Sequence, residues 1–288
     1  MTRRRPGPRL SRSLLAALRP VMAAADGVRI AVVGGVVRDR LLKLRGADGD
    51  VDVTVEGDAI ALARRAARSS GLALKVHERF GTATLSAAGG WSIDLARARR
   101  EIYRRPGALP EISPATIEED LARRDFTVNA MAVELSQPSS EALFHDPFGG
   151  GADLGRRLLR VLHARSFEDD PTRALRAVRY ANRLGLRIER RTRRWLISAV
   201  AAGAFETVSG DRLRREVERT LSAPRAAEAV RLFHSLGIAR ALHPELAASA
   251  KTVAALTRAE SLGRRHPPEI PWLPSFLIWA GELSERGC

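Results

Sequence analysis

The chain has 288 residues with 48 Lys and Arg against 33 Asp and Glu, and its formal net charge of +15 predicts a polyanionic partner. Hydrophobic residues make up 45% and charged residues 28%, which excludes a disordered or fibrous chain, and no apolar run approaches the roughly 20 residues of a membrane span. The single cysteine, Cys288, excludes an internal disulfide framework and a cysteine-based zinc cluster, so we expect a reducing, cytoplasmic location.

The first elements are predicted from periodicity. Leucines recur at helical spacing from Leu10 to Leu18, which predicts a helix that ends at Pro20. Residues 28–33 are apolar and rich in β-branched side chains, and a helical pattern over 36–44 follows after two glycines. This stretch is expected to form a strand, a glycine turn and a helix.

Alternation and turn residues predict the next elements, in chain order: a strand at 50–55, a helix at 59–70, a strand at 71–76 and a hairpin of 81–88 and 91–96. Residues 103–114 contain too many Pro and Gly residues for a regular element and are expected to form a loop. Thr116 and Glu119 match a capping box that opens a short helix. A breaker cluster at 145–151 closes the α/β part, and the pattern after Asp153 is mostly helical.

The alternating strand places Asp50, Asp52 and Thr54 on one face. Cα atoms two residues apart on a strand are separated by ~6.6 to 7 Å, so both carboxylates can converge on one cation or on a pair of cations. Two carboxylates this close repel each other unless a cation lies between them. One interpretation is a metal site, and the other is a solvated strand face with two surface acids.

A glycine turn precedes this strand. Gly34 and Gly35 allow backbone N–H groups to approach a phosphate at a helix N-terminus, and Arg38, one turn later, can bind phosphate oxygens with its forked guanidinium. Asp94 supplies a third acid on a later strand. Together these features indicate a nucleoside triphosphate and metal site, whereas each alone is also typical of an ordinary turn or a strand edge.

A basic stripe is predicted on the helix that follows Pro171. At about 100° per residue its arginines fall within an arc of about 120°, opposite the apolar residues. They are Arg173, Arg176, Arg179 and Arg183. The stripe is interpreted either as a ligand-binding face or as a solvated face, and Asp170 before Pro171 also fits an ordinary N-cap.

Six sequence blocks follow one another between Val28 and Leu246: VVGGVVRD, DVDVTVEGDA, IDLARARRE, EEDLARRDFTVNAMA, DPFGG..DL and FEDDPTRALRAVRYANRLG. Their order and spacing resemble the bacterial-type (class II) tRNA nucleotidyltransferase and poly(A) polymerase family. The resemblance implies an α/β polymerase-beta-like nucleotidyltransferase head followed by all-α neck and body domains. We expect the catalytic head at 1–145, a helical neck for nucleobase recognition at 146–205 and a helical, RNA-binding body at 206–288.

The resemblance also implies roles for individual residues. The catalytic acids, which would hold Mg²⁺, are Asp50, Asp52 and Asp94. The nucleotide-binding residues would be Gly34, Gly35, Arg38, Arg124, Asp125 and Asn129 in the head and Asp170, Arg173, Arg176 and Arg179 in the neck. Within this set, Asp125 and Asn129 are expected nearest the ribose, and Asp170 and Arg173 at the edge of the nucleobase.

The implied reaction is template-independent addition of C and A nucleotides to the 3′ end of tRNA (CCA addition), by two-metal transfer from CTP and ATP with release of pyrophosphate. The alternatives are a CC-adding or A-adding half-enzyme, a bacterial poly(A) polymerase and a catalytically inactive RNA-binding protein. The presence of all three acids argues against the last. Relatives often have Glu before the base-reading Asp, whereas this chain has the shorter Asp169. The expected partners are the tRNA 3′ end, CTP and ATP, with no membrane, and the sequence leaves the oligomeric state open.

Overall fold

The computed structural model describes residues 7–44, 50–87, 90–135, 143–263, 265–281 and 283. The chain forms two compact units. Unit 1 consists of Met1–Ile102 and Glu111–Arg156, and unit 2 consists of Tyr103–Pro110 and Arg157–Cys288. The domain boundaries expected at 145/146 and 205/206 stay predictions.

Unit 1 is a mixed α/β unit, and its helix α4 (Ile117–Ala122) begins with the predicted capping box of Thr116 and Glu119. The strand predicted at 50–55 and the helix predicted at 59–70 have the expected bounds. The elements in chain order are α1 (Arg12–Ala24), β1 (Ile30–Val33), α2 (Gly35–Leu41), β2 (Asp50–Val55), α3 (Ala59–Ser70), β3 (Ala73–His77), β4 (Thr82–Ser86), β5 (Ser92–Arg97), β6 (Arg99–Ile102), β7 (Glu111–Pro114), α4 (Ile117–Ala122), β8 (Ala132–Glu134), β9 (Leu143–His145) and α5 (Gly150–Gly155).

Seven of these strands form one sheet in the order β3-β4-β5-β2-β1-β8-β9. β2 and β5 are parallel, and the other neighbours are antiparallel. Side chains alternate between the two faces of each strand. On one face Val51, Val53 and Ile93 are almost completely buried. The other face carries the polar side chains of β2, β4 and β5, which form the candidate site.

The first helix continues past its predicted end. Pro20 lies inside α1, which extends to Ala24. A proline inside a helix removes one backbone hydrogen bond. Leu18 and Val21, on either side of the proline, are fully buried, and α1 packs against α3. Burial of this apolar side outweighs the missing hydrogen bond, so the prediction that the helix ends at Pro20 is wrong.

The loop predicted at 103–114 contains a strand. β6 and β7 pair antiparallel, with Arg99 opposite Pro114 and Ile102 opposite Glu111. Proline is compatible with this position because an edge strand has N–H groups that need no partner in the sheet. The prediction of a loop is therefore wrong for 111–114.

In the described part of unit 2, the regular elements are helices and one parallel pair of two-residue strands, β10 and β11. Its elements in chain order are β10 (Leu158–Leu159), α6 (Ser166–Asp169), α7 (Thr172–Leu184), β11 (Arg187–Ile188), α8 (Arg190–Ala201), α9 (Gly210–Leu221), α10 (Ala226–Ser235), α11 (Ile238–Leu242), α12 (Ala250–Gly263) and α13 (Leu273–Ala280). α7 packs against α9 and α10. The Trp279 ring in α13 stacks on Phe233, with 5.4 Å between the ring centroids, so the proline-rich end packs within unit 2.

The predicted order of a mixed α/β head followed by helices is confirmed. No helix in the described ranges has both the length and the apolar character needed to cross a bilayer.

Candidate functional site

A cavity of about 430 Å³ lies on the polar side of the sheet in unit 1. It is lined by side chains of β2, β4 and β5 and by two arginines that follow α4. The polar lining residues include Asp52, Asp94, Thr84, His77, Arg123 and Arg124. The cavity therefore combines acids, which can hold a cation, with guanidinium groups, which can bind an anion.

The strand register brings two of the three predicted acids side by side. Asp52 on β2 is directly opposite Asp94 on the parallel strand β5, so both side chains extend from the same face. Asp50 lies two residues before Asp52 on that face, opposite Ser92, whose hydroxyl donates to Asp50 Oδ1 at 2.9 Å. Thr84 donates to Asp94 Oδ1 at 2.5 Å. The hydroxyl groups of Ser92 and Thr84 thus orient the carboxylates of Asp50 and Asp94.

Asp52 has an electrostatic environment unlike that of a surface acid. Burial raises the pKa of its carboxyl group above the ordinary value, the charge of Arg124 opposes this, and the charges of Asp94 and Asp50 raise the pKa further. Asp52 therefore interacts electrostatically with both of the other carboxylates. A cation between them would relieve the repulsion that raises the pKa of Asp52.

The donor chemistry of this cluster fits a hard divalent cation. Magnesium is usually bound by one or two carboxylates together with waters and substrate phosphates, rather than by a complete cage of protein ligands. Asp52 and Asp94 match this mode. Among the residues described, no group of three or more His, Cys, Asp or Glu side chains is arranged so that it could hold a metal ion. Binding of a metal ion by Asp50, Asp52 and Asp94 together stays a prediction.

The predicted glycine turn lies between β1 and α2. Gly34 adopts a φ of +67°, a left-handed conformation that favours glycine. A Cβ atom at this position would be 2.9 Å from Arg124 Nη1. The glycine therefore leaves the space into which the Arg124 guanidinium extends, and this contact brings residues 34 and 124 together.

Arg38, Asp125 and Asn129 form a buried hydrogen-bonded network in unit 1. Arg38 donates from Nη1 to Asn129 Oδ1 at 2.6 Å and from Nε to Asp39 Oδ1 at 2.7 Å. Asn129 in turn donates to Asp125 Oδ1 at 2.9 Å. The structure thus brings these predicted residues together, and the guanidinium of Arg38 is enclosed rather than extended into solvent. Their contacts with a nucleotide stay predictions.

The predicted residues of unit 2 extend from Asp170, just before α7, to Arg179 in the middle of that helix. Asp170 Oδ1 accepts from Thr172 N at 3.1 Å and from the Thr172 hydroxyl at 2.7 Å, which is the N-cap arrangement that the sequence offered as an alternative. The same oxygen accepts from Arg212 Nη2 at 2.9 Å. Within the described part of the chain, no residue donates to Asp170 Oδ2. Capping and ligand recognition are therefore compatible at this carboxylate.

The arginines of α7 make contacts of their own. Arg173 is buried and donates to the Ser166 hydroxyl at 2.7 Å. Arg176 and Arg179 lie near the Tyr180 ring, with their guanidinium carbons 5.9 and 4.6 Å from its centroid. Arg179 also donates to Glu216 Oε2 at 3.1 Å. These arginines are anchored within unit 2, so the interpretation of the stripe as a purely solvated face does not hold for them.

Sequence reasoning missed several residues that line the cavity or bind its arginines. Asp120 contacts both Arg123 and Arg124, and its spacing of three and four residues from them is the spacing of neighbours on a helix, a signal that was present in the sequence. Thr84 and His77 had no local signal, because their positions depend on the pairing of β3, β4 and β5.

Two family models match the chain. The model described as "Poly A polymerase head domain" matches residues 30–160, and the model described as "Probable RNA and SrmB- binding site of polymerase A" matches residues 185–249. The first covers most of unit 1, and the second lies within unit 2. Both matches agree with the resemblance that the six sequence blocks carry.

Known proteins resemble most of the chain. An A-adding tRNA nucleotidyltransferase of Geobacter sulfurreducens is 37% identical over 96% of this chain and 30% of its own length. A CC-adding tRNA nucleotidyltransferase of Deinococcus radiodurans is 39% identical over 74% of this chain and 55% of its own length. A solved structure of a CCA-adding enzyme in an apo form matches with a TM-score of 0.86 and 34% identity over 97% of this chain and 66% of that one.

The chain thus spans about a third to a half of the length of these two curated relatives. The matches to both family models and the similarity in sequence and fold lead to one conclusion: the chain belongs to the class II tRNA nucleotidyltransferase and poly(A) polymerase family.

Proposed function

We propose that this protein adds C and A nucleotides to the 3′ end of tRNA, using CTP and ATP and releasing pyrophosphate. The observation that carries the proposal is the pairing of Asp52 with Asp94 in a cavity that also contains Arg123 and Arg124. Acids for a divalent cation thus lie beside guanidinium groups for phosphates. This combination is what nucleotidyl transfer requires.

The cation proposed here is Mg²⁺, held by Asp52 and Asp94 with Asp50 as the third acid. When bound, it would lower the pKa of the RNA 3′ hydroxyl and neutralise charge on the pyrophosphate that leaves. Arg124 would bind phosphate oxygens, and the Arg38–Asn129–Asp125 network would orient the ribose. In-line attack of the 3′ oxygen on the α-phosphate forms the new phosphodiester bond and breaks the bond to pyrophosphate, so no protein nucleophile takes part.

Selection of the base is assigned to Asp170 and Arg173 in unit 2. A carboxylate accepts from an exocyclic amino group, and a guanidinium donates to a ring nitrogen or a carbonyl oxygen. Cytosine and adenine both present an amino group beside an acceptor, whereas uracil presents a carbonyl in place of the amino group. Asp170 Oδ2 is suited to accept from the amino group of the base, because the hydrogen bonds of this carboxylate within the described chain are all accepted by Oδ1.

A-addition alone is the second candidate. It is favoured by the similarity to the Geobacter A-adding relative, which extends over 96% of this chain. CC addition and poly(A) synthesis remain alternatives within the same family, and all four activities use the same transfer chemistry.

The test is incubation of the chain with three tRNA transcripts, one ending before CCA, one ending in C and one ending in CC. CTP and ATP are supplied separately and together with Mg²⁺, and products are separated at single-nucleotide resolution. CCA addition predicts that all three transcripts are completed when both nucleotides are present. Extension of the CC transcript alone, by one A, would establish the second candidate, and long A tails would indicate poly(A) synthesis. No extension of any transcript would contradict the proposal.

A further inference from the structure

We propose that Asp120 is a positioning residue whose buried carboxylate holds the Arg124 guanidinium in the cavity, where it meets the phosphates of the incoming nucleotide. This inference rests on the proposed function. Asp120 lies on α4, outside the acids and the nucleotide-binding residues that the sequence indicated.

Asp120 is bound from several directions. Only 1% of the residue is exposed. Its Oδ1 accepts from Arg123 Nε at 2.9 Å and from Arg99 N at 3.3 Å. Its Oδ2 accepts from Arg124 Nη2 at 3.0 Å and from the Thr54 hydroxyl at 3.3 Å. A carboxylate with this many donors has a fixed orientation, so the groups that it holds are fixed as well.

One of these contacts connects the arginines to the acids. Thr54 lies two residues after Asp52 on β2 and lines the same cavity, and its side chain is buried against Asp120. Asp120 therefore joins the strand that carries Asp52 to the segment that carries Arg124. A shift of this carboxylate would change the distance between the proposed metal site and the proposed phosphate-binding group.

The charge on Asp120 is well stabilised. Burial alone would raise the pKa of this carboxyl group, but the charges of Arg124 and Arg123 and their hydrogen bonds outweigh it and lower the pKa below the ordinary value. The group is therefore ionised at neutral pH. Its bonds to the two arginines are charge-assisted and correspondingly strong.

The two arginines differ in what else they contact. Arg123 also forms an ion pair with Glu101 at 3.0 Å, an acid that is itself almost buried. Arg124 also forms an ion pair with Asp120, but its buried Nε has no acceptor in the described chain. Its Nη1 extends towards Gly34. Arg123 is thus neutralised by two acids, whereas Arg124 retains donor groups and positive charge for a ligand. This asymmetry identifies Arg124 as the arginine that Asp120 presents to the nucleotide.

The experiment compares Asp120→Asn, which keeps the shape and removes the charge, with Glu119→Gln, which neutralises the adjacent acid on the same helix. Glutamine can replace glutamate in a capping box, so the control should preserve α4. Binding of CTP is measured by equilibrium dialysis, and kcat and KM are measured with tRNA. Asp120→Asn should weaken CTP binding and raise KM by about 10- to 100-fold, by analogy with the cost of losing a group that orients a metal ligand, with a smaller change in kcat. Glu119→Gln should remain within about twofold of the unmodified chain.

Arg124→Gln and the double variant separate positioning from folding. Because both single changes remove the same contact, the double variant should bind CTP no more weakly than Arg124→Gln alone. Additive losses, or an unchanged KM in a folded Asp120→Asn protein, would overturn the inference. If Asp120→Asn does not fold, Asp120→Glu keeps the charge and displaces the guanidinium, so normal CTP binding by that variant would also overturn it. Failure of the unmodified chain to extend tRNA would instead refute the proposed function, and the CTP-binding comparison would still test Asp120.

Discussion

The sheet cavity of unit 1 and helix α7 of unit 2 assemble functional side chains in different ways. In the cavity, Asp52 and Asp94 are distant in sequence and meet because β2 and β5 are paired in parallel. On α7, Arg173, Arg176 and Arg179 are close in sequence, and helical periodicity alone places them within an arc of about 120°. The proposed metal-binding residues of unit 1 therefore depend on strand register, whereas the proposed base-reading arginine of unit 2 depends on local helix geometry.

The two regions also neutralise their arginines differently. Around the sheet, arginines contact shared carboxylates, as Arg123 and Arg124 do at Asp120. On α7, the partners are more varied, with a hydroxyl for Arg173, an aromatic ring for Arg176 and both a ring and a carboxylate for Arg179. Substitution of an arginine in unit 1 should therefore act by changing the local charge balance, whereas substitution of an arginine on α7 should act by changing recognition of the ligand.

The largest effect is expected for Asp52→Asn, which would disrupt the proposed metal site in unit 1. Loss of a cation-binding carboxylate removes several kcal/mol of transition-state stabilisation, so nucleotide incorporation should fall by about a thousandfold or more. Incorporation is measured with the three transcripts described above. Glu78→Gln, at an exposed ion pair in the same unit, is the control and should retain activity. Ordinary turnover by Asp52→Asn would refute the assignment of this acid.

RNA binding is expected to depend strongly on salt because of the net charge of +15. If about six phosphates are contacted, the affinity for tRNA should fall by about a thousandfold between roughly 50 and 200 mM salt. Arg176→Gln on α7 should reduce the slope of log affinity against log salt by about one, whereas Arg64→Gln in unit 1 should leave it unchanged. The slopes are obtained from binding titrations at several salt concentrations. A flat response would show that the positive charge does not bind RNA.

A change confined to base choice is expected for Arg173→Ala, which tests the role proposed for α7 in unit 2. Removal of a paired hydrogen-bonding group costs about 1 to 3 kcal/mol of discrimination, so the preference for CTP over UTP should fall by roughly 10- to 100-fold. The measurement is the ratio of kcat/KM values for the two nucleotides. Arg183→Ala, further along the same helix, should leave this ratio unchanged. Unchanged selectivity in Arg173→Ala would remove this residue from base recognition.

The smallest effect is expected for Arg29→Met, which probes how unit 1 balances charge away from the cavity. Arg29 forms ion pairs with Glu56, Glu118 and Glu134 at 2.8 to 3.0 Å. Its hydrogen bonds lower the pKa values of Glu118 and Glu134. The arginine is partly exposed, so its loss should destabilise the protein by about 1 kcal/mol at neutral pH.

The pH dependence of this effect follows from the direction of the shifts. Since both glutamates have lower pKa values in the folded state, their contribution is present above the unfolded pKa of about 4.3 and is lost as the pH falls through the folded values. The difference between Arg29→Met and the unmodified chain should therefore shrink in acid, as measured by urea unfolding at a series of pH values. Arg64→Met, at an exposed pair with Glu78, should show almost no difference at any pH. A pH-independent loss in Arg29→Met would show that packing, rather than charge, explains its effect.

Much of the fold could be predicted because its signals are local. The alternation at 50–55, the helix at 59–70 and the capping box at Thr116 are properties of short segments, and each was present as expected. The errors arose where tertiary contacts determine the secondary structure. Pro20 lies within a helix because its neighbours are buried, and β7 forms because β6 is available as a partner.

The candidate site shows the same difference between features set by local sequence and features set by tertiary contacts. Periodicity predicted the arrangement on α7, and the resemblance to the family indicated the residues of the cavity. Neither could show that Thr84 orients Asp94 or that Thr54 is bound by Asp120, because these contacts depend on the register of strands and on the packing of α4. The enclosure of Arg38 by Asp39 and Asn129 likewise required the folded chain.

The double attachment of Asp170 has a consequence for protein engineering. Because Oδ1 accepts from Thr172 and Arg212, a substitution that removes this acceptor in order to alter nucleotide preference also removes a hydrogen bond at the start of α7 and one from α9. Loss of a helix cap costs about 0.5 to 2 kcal/mol, so libraries that vary this position alone will contain many destabilised members. Varying it together with Thr172 and Arg212 offers a better route to new specificities.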